Sequence, residues 1–205
     1  LGTGTLGDKI GHRRMFEIGL TIFGIASAVA AFAPNVGVLI GARAFLGAGA
    51  AVLMPSTLAL IRQTFFEPRE RNTAIGIWGS DATVGSAVGP LLGGFLLTHT
   101  WWGAVFLINI PIVIIALAGT YLIAPDNFPN PKRNWDFISS LYATITMVGL
   151  VLTIENLAHN PIDTTLVTTG VVLFAIGLAL FAHRQHFLDT PLLTLDVFKS
   201  RLFTA

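Results

Sequence analysis

The chain contains no cysteine and few charged residues. Without cysteine, neither a disulfide nor a thiolate-bound metal ion can form. Charged residues make up 11% of the sequence, whereas soluble domains carry about 25%. Hydrophobic residues make up 53%, and the mean hydropathy is +0.73. This composition predicts an all-α integral membrane protein. The net charge of +1 provides no basic field, so we expect no nucleic-acid partner.

Six apolar stretches are long enough to cross a bilayer, because about 20 residues at 1.5 Å each cover a hydrocarbon core of about 30 Å. Polar segments at 7–14 and 62–72 are predicted loops between them. The chain begins with Leu1 in what resembles the tail of another span, so we expect it to be an internal piece of a longer protein. The predicted spans are residues 15–33, 36–61, 74–97, 104–124, 137–158 and 166–185.

Lysine and arginine are concentrated in alternate connections between these spans. The connections at 34–35, 98–103 and 159–165 contain none. Cytoplasmic loops collect Lys and Arg, so the other connections are predicted to be cytoplasmic. The alternation also supports the number of spans, because one overlooked helix would scramble it. The basic residues of the predicted cytoplasmic segments are Lys9, Arg13, Arg14, Arg62, Arg69, Arg71, Lys132, Arg133, Arg184, Lys199 and Arg201.

The stretch 74–97 has the composition of a tightly packed, bent helix. Glycines four residues apart lie on one helix face and let another backbone approach closely. Pro90 removes a backbone hydrogen bond from the middle of the stretch and is expected to bend the helix. We therefore predict a hinge here, formed by Gly85, Gly89, Pro90, Gly93 and Gly94.

Arg43 is the one basic residue well inside a predicted span, since Arg184 lies at the margin of the last one. An unpaired charge in the membrane interior costs about 2.5–3.5 kcal/mol on insertion scales, so this side chain should face protein or water and have a partner. It could tune a nearby carboxylate or take part in proton movement. Alternatively, it could extend to the outer headgroups as a snorkelling arginine. The sequence leaves both interpretations open.

Asp81 lies within the same glycine-rich stretch, in its predicted inner half. An ionisable acid at that depth is a candidate for loading and releasing a proton. The structural alternative is a hydrogen bond to a backbone carbonyl or a hydroxyl, with no role in proton movement. Because Arg43 is predicted in the outer half of the membrane, the two side chains are not expected to touch.

Two patterns resemble a cofactor site and a metal site, but the surrounding sequence lacks what each site requires. Gly2, Gly4 and Gly7 match the G-x-G-x-x-G pattern of dinucleotide-binding loops, but that pattern requires a βαβ unit. His183 and His186 are three residues apart with no third ligand nearby. We therefore expect no cofactor and no metal ion. With no nucleophile–base pair among the spans, we also expect no enzymatic activity.

The segment GDKIGHRR resembles the loop between the second and third helices of the major facilitator superfamily. His12 takes a place where members of that family often have Arg. The resemblance implies a gating role, in which the aspartate and arginines form a charge relay and dock on a helix of the opposite half. The residues that match this gating-loop motif are Gly7, Asp8, Gly11, Arg13 and Arg14.

Two further motifs carry the same resemblance. The stretch RAFLGAGA is similar to the fourth-helix motif of the family, whose arginine, here Arg43, is assigned to proton transfer; Leu46 stands where many members have Gln. GSAVGPLLGG resembles the antiporter motif of the fifth helix, and WWGAVFLINIP is similar to segments of fourteen-helix drug:proton antiporters. The resemblance covers the whole chain and points to exporters of quaternary ammonium compounds and methyl viologen.

This resemblance implies an N-terminal-half fragment of the superfamily's helical bundle with about six complete transmembrane helices. Residues 1–124 would belong to the N-terminal six-helix bundle, 125–136 to a cytoplasmic loop, 137–185 to two inserted helices, and 186–205 to a loop before the next helix. Its expected location is the bacterial cytoplasmic (inner) membrane, as a multi-pass protein. The expected partners are the lipid bilayer, a small lipophilic cation, protons and the C-terminal half of the same protein.

Three functions remain open at this point. The first is proton-coupled export of lipophilic or quaternary ammonium cations by alternating access. The second is a facilitator or importer of another small solute on the same fold. The third is a membrane protein that does not transport, such as an interaction scaffold, although its short loops offer little binding surface.

Overall fold

The structure is a computed structural model that describes residues 2–130, 136–158 and 163–187. These residues form helices joined by short turns, and no strand occurs among them. The chain divides into two units, of which one contains α1 to α6 and the other contains α7 and α8. The helices are α1 (Gly2–Ile10), α2 (His12–Ala31), α3 (Val36–Thr64), α4 (Pro68–His99), α5 (Ala104–Leu107), α6 (Asn109–Ile123), α7 (Phe137–Ala158) and α8 (Thr164–Phe187).

Five helical segments of the described chain are long and apolar enough to cross a membrane. The predicted all-α membrane architecture is therefore confirmed. The helix α4 is 32 residues long but is not one of the five, because Asp81, Pro90 and its many small residues reduce its apolarity; its membrane span stays a prediction. The five segments are His12–Ala31, Val36–Thr64, Ala104–Ile123, Phe137–Ala158 and Thr164–His186.

Two predicted loops prove to be mostly helical. The segment 7–14 is divided between α1 and α2 and is non-helical only at Gly11, and within 62–72 only residues 65–67 lie outside helices. The prediction of loops is wrong, because charged residues do not by themselves indicate irregular structure. Lys, Arg and Glu are good helix formers and are readily accommodated at helix ends that extend into water. Pro68 starts α4, a position where its missing N–H costs nothing.

In the unit formed by α1 to α6, α2 is the central helix and packs against α3, α5 and α6. Most of its buried positions carry small side chains, among them Ser27 and Ala30, both 0% exposed. A Cβ atom on Gly49 of α3 would lie only 3.1 Å from the Gly19 carbonyl oxygen of α2. Small residues of this kind let helix backbones approach closely in a membrane, where packing rather than the hydrophobic effect drives association.

A polar contact joins α2 to α6 within this apolar unit. The Asn109 side-chain amide donates a hydrogen bond to the hydroxyl of Ser27 at 3.2 Å. Ser27 is completely buried, so without this partner its hydroxyl would rely on its own helix. Such interhelical hydrogen bonds contribute about 0.6 kcal/mol each in a membrane protein.

The second unit is a helical hairpin in which α7 and α8 pack along their length. Glycine makes the contact close, because a Cβ atom on Gly149 would lie 2.4 Å from the backbone nitrogen of Phe174 and 2.7 Å from the carbonyl oxygen of Gly170. Gly177 similarly faces the backbone of Thr146, whose N atom would be 2.8 Å from an added Cβ. This small-residue interface, rather than bulky side chains, sets the distance between the two helices.

An ion pair closes one end of this hairpin. Arg184 of α8 donates hydrogen bonds to both carboxylate oxygens of Asp136, with Nη2 3.0 Å from Oδ1. Asp136 also caps α7, because its Oδ1 accepts the Ser139 backbone N–H at 3.1 Å. Partial burial acts to raise the pKa of Asp136, but the hydrogen bonds from Arg184 and Ser139 outweigh it, so the pKa lies below its usual value.

Candidate functional site

The gating-loop motif lies at the junction of α1 and α2, where a single glycine, Gly11, separates the two helices. Gly11 adopts φ +97°, a conformation that residues with a Cβ atom rarely take. Gly11 is also the N-cap of α2, and it has no side chain with which to satisfy the free N–H groups of the first turn. The motif glycine is therefore required by backbone conformation.

Asp8 and His12 approach each other across this junction. The Nε2 atom of His12 is 3.0 Å from Oδ1 of Asp8, and the two residues are four positions apart. Gly7 makes room for the imidazole, because a Cβ atom at Gly7 would lie 2.7 Å from Nδ1 of His12. The structure thus pairs the motif aspartate with the residue that replaces the family's usual arginine.

Arg13 connects the gating loop to the end of α6. Its guanidinium donates to the carbonyl oxygens of Tyr121 at 3.2 Å and Ala124 at 3.3 Å. These carbonyls belong to the last turn and C-cap of α6, where a cation is stabilised by the free carbonyl groups and the helix dipole. Glu17 holds the same guanidinium from the other side through Nε at 3.1 Å.

The residues that follow α6 also contact the junction. We call residues 124–130 the strap; they are without helix or strand. The Asn127 side chain donates to the Ile10 carbonyl at 2.8 Å and accepts from the Arg14 backbone N–H at 3.3 Å. The backbone N–H of Asn130 donates to the Asp8 carbonyl at 3.0 Å. The strap therefore holds both sides of the turn at Gly11.

Sequence reasoning missed Asn127, because it placed this residue in a polar loop without a partner. One signal was available: a helix start with glycine at its N-cap needs a hydrogen-bond acceptor from elsewhere. The sequence contains no clue to which of its polar residues would supply it, because Asn127 and Arg14 are 113 positions apart.

The candidate proton-transfer residues lie apart from this cluster. Arg43 on α3 and Asp81 on α4 are both exposed. Neither takes part in an ion pair among the described residues. The partner expected for Arg43 is therefore not supplied by this part of the chain, and its proton-transfer and snorkelling interpretations stay open. The role of Asp81 also stays a prediction.

The predicted hinge glycines are on an open face of α4. Apart from the neighbouring backbone of α4 itself, no atom of the described chain lies within 4 Å of a Cβ atom built at Gly85, Gly89, Gly93 or Gly94. The helix continues through Pro90 from Pro68 to His99. The close backbone approach that these glycines predict is thus absent among the described residues, and their hinge role stays a prediction.

No group of His, Asp or Glu side chains suited to holding a metal ion occurs in the part of the chain that the structure describes. The predicted absence of metal and cofactor therefore meets no contrary observation there. The G-x-G-x-x-G match at Gly2, Gly4 and Gly7 lies in α1, which is not the loop after a strand that dinucleotide binding requires.

Comparison with known proteins agrees with these motifs. The family model described as Major Facilitator Superfamily matches residues 1–203. The chain is 42% identical to the multidrug efflux pump LfrA of Mycolicibacterium smegmatis, over 98% of this chain and 40% of that protein. It is 35% identical to the methyl viologen resistance protein SmvA of Salmonella typhimurium, over 98% of this chain and 41% of that protein. The riboflavin transporter RibZ of Clostridioides difficile is 33% identical over 98% of this chain and 43% of its own length.

The chain spans about two fifths of the length of these curated relatives. Their family consists of transporters rather than enzymes, and its bacterial members together with the apolar helices place the chain in the bacterial cytoplasmic membrane as a multi-pass protein. The family match, the gating-loop and antiporter motifs and the all-helical fold agree, and the chain belongs to the major facilitator superfamily.

Proposed function

We propose that the full-length protein containing this chain is a proton-coupled exporter of lipophilic or quaternary ammonium cations that works by alternating access. The observation that carries the proposal is the assembly of the gating-loop motif into one cluster against the end of α6, through Asp8, Gly11 and Arg13. The names of LfrA and SmvA, a multidrug efflux pump and a methyl viologen resistance protein, support this choice of substrate class.

The geometry suits a gate because Arg13 connects the gating loop to the end of α6 through contacts weak enough to be broken and formed again. Arg13 makes its contacts to backbone carbonyls at 3.2 and 3.3 Å, and a cation at a helix C-terminus contributes about 0.3–1 kcal/mol when exposed. An energy of that size biases a near-balanced equilibrium between two conformations but does not fix it. The two halves of such a transporter then rock about a site near the bilayer midplane.

The proposed chemistry is an exchange of a proton for a cation. Apolar and aromatic surface with few acids suits a lipophilic cation. In this scheme Asp81 loads and releases the proton. The positive charge of Arg43 adjusts the electrostatic potential at this carboxylate or at another acid. Part of the cation site would lie in the C-terminal half of the protein.

The test uses everted membrane vesicles that contain the full-length protein. Adding ethidium or a quaternary ammonium compound to energised vesicles should release protons, as measured with a pH-sensitive dye. Absence of proton release would contradict the exchange mechanism while leaving the family membership intact.

A variant series on α3 separates the two roles of Arg43. Arg43→Ala should abolish cation-induced proton release at normal expression, whereas Arg62→Ala, at an exposed arginine on the same helix, should retain it. Arg43→Lys discriminates further, because a snorkelling side chain tolerates lysine, whereas a site that uses the guanidinium geometry does not. Transport by Arg43→Ala at the wild-type rate would remove this residue from the mechanism.

A facilitator or importer of another solute is the second candidate. The observation in its favour is the 33% identity to a protein named as a riboflavin transporter. Counterflow of a labelled solute in proteoliposomes without a pH gradient would support it. The antiporter motif of α4 favours the exporter.

A further inference from the structure

The turn at Gly11 carries an unusual capping arrangement. The first turn of any helix has four N–H groups without partners inside the helix, and the residue at the N-cap normally supplies a side-chain oxygen to one of them. The N-cap of α2 is glycine and makes no side-chain cap. The acceptor comes instead from Asn127 of the strap, whose Oδ1 accepts the Arg14 N–H at 3.3 Å.

The same side chain serves the end of α1. The Asn127 Nδ2 donates to the carbonyl oxygen of Ile10 at 2.8 Å, which is the last residue of α1. One amide therefore satisfies a free carbonyl of one helix and a free N–H of the next. An amide side chain suits both contacts, since it has a donor and an acceptor on one planar group.

Gly11 and Asn127 are matched in shape as well. A Cβ atom on Gly11 would lie 1.9 Å from Oδ1 of Asn127, so the amide occupies the space that any other residue at position 11 would fill. The strap adds a backbone bond from Asn130 to the Asp8 carbonyl at 3.0 Å, next to Gly7. The amide of Asn127 is thus held over the junction by contacts on both sides of it.

We propose that Asn127 is a positioning residue of the gating loop, which sets the angle between α1 and α2 by capping both helices at Gly11. In this arrangement Asn127 acts through Asp8 and Arg13, whose side chains the junction orients. Arg13 in turn binds the carbonyls of Tyr121 and Ala124 just before the strap. Hydrogen bonds therefore connect the gating loop to both the end of α6 and the strap.

Loss of an asparagine cap increases the equilibrium constant for opening of the helix end by about fivefold. Hydrogen exchange at the first turn of α2 reports this opening directly, because the Arg14 N–H is the group that Asn127 protects. In the full-length protein, Asn127→Ala should raise the exchange rate of peptides covering residues 10–16 by about fivefold. Asn127→Asp keeps an acceptor for Arg14 but loses the donor to Ile10, so its rate should lie between those of Asn127→Ala and the wild type.

The matched control is Asp126→Ala, a neighbouring exposed side chain of the strap, which should leave the exchange unchanged. If Asn127→Ala and Asp126→Ala exchange alike, the positioning role is wrong. The same holds if Asn127→Asp is no different from Asn127→Ala.

A transport measurement separates positioning from a general loss of stability, and it is the only part that rests on the proposed function. Asn127→Ala should change the maximal rate of cation export and leave the KM unchanged, and Asn127→Asp should recover part of that rate. An altered KM with an unchanged maximal rate would contradict the positioning role. If the wild type itself exports no cation, the proposed function fails, and the exchange result still decides the capping role.

Discussion

The close contact between α7 and α8 leads to a specific prediction about Gly149. A Cβ atom added there would meet the backbone nitrogen of Phe174 at 2.4 Å and the carbonyl oxygen of Gly170 at 2.7 Å. Ordinary van der Waals contact begins at 3.4 Å. Because the obstructing atoms are backbone and cannot rotate away, Gly149→Ala requires α7 and α8 to separate by about 1 Å.

Two opposing effects decide the size of the change. Replacing a helical glycine with alanine favours the helix by about 0.5–1 kcal/mol. Overpacking a close contact costs about 1–3 kcal/mol. The contact therefore dominates, and we expect a net destabilisation of the hairpin by about 1–2 kcal/mol, which corresponds to about a 5- to 30-fold increase in its opening.

Hydrogen exchange of the α7 and α8 amides in the full-length protein measures this opening. The control is Gly119→Ala in α6. Apart from the neighbouring backbone of α6 itself, no atom of the described chain lies within 4 Å of the added Cβ, so only the favourable effect of alanine on the helix remains. Gly149→Ala should exchange faster than the wild type in the hairpin, and Gly119→Ala should not. Equal exchange in the hairpin for the two variants would refute the idea that close glycine packing holds the helices together.

Two further predictions concern polar contacts. The pKa of Asp136 is lowered by Arg184 and Ser139 against the effect of burial, so its contribution to stability is complete above its ordinary value of 3.8 and disappears as the pH falls through the lowered value. Asp136→Asn should therefore lower the thermal midpoint at pH 7. The free energy of unfolding should fall by about 1 kcal/mol, because Arg184 is partly exposed and the pair is screened by solvent. The difference from the wild type should shrink below pH 3.8, and a constant difference would contradict the ion-pair explanation. Asn109→Leu should destabilise the α2–α6 contact by about 0.6 kcal/mol. In a thermal unfolding series, the loss of stability in the double variant with Ser27→Ala should be smaller than the sum of the two single losses. Strict additivity would mean that the hydrogen bond at 3.2 Å contributes nothing.

The length of the apolar stretches predicted the membrane-spanning helices most accurately. The predicted spans at 137–158 and 36–61 correspond closely to α7 (Phe137–Ala158) and α3 (Val36–Thr64). A stretch of apolar residues that must bury its backbone polar groups in lipid has few alternatives to a helix. Charged segments were harder, since residues 7–14 are helical apart from Gly11 although their composition had suggested a loop.

Glycine illustrates the limit of a one-dimensional pattern. Spacing of four residues drew attention to Gly85, Gly89 and Gly93, yet nothing in the described chain lies against them. The glycines that do meet the backbone of another helix include Gly49, Gly149 and Gly170. They lie on three different helices, and none of them is four residues from another glycine. Spacing within one helix indicates a face that permits close approach, but whether another backbone arrives depends on the neighbouring helix.

The sequence by itself determined the membrane class, the helical fold and the family, because hydrophobic length, charge asymmetry and short motifs are local properties of the chain. The tertiary structure alone decided which polar groups meet: Asn127 with the turn at Gly11, Arg13 with the end of α6, and Arg184 with Asp136. These partners are tens of residues apart or more, and a hydrogen bond depends on distances of a few tenths of an ångström that only the packing of whole helices establishes.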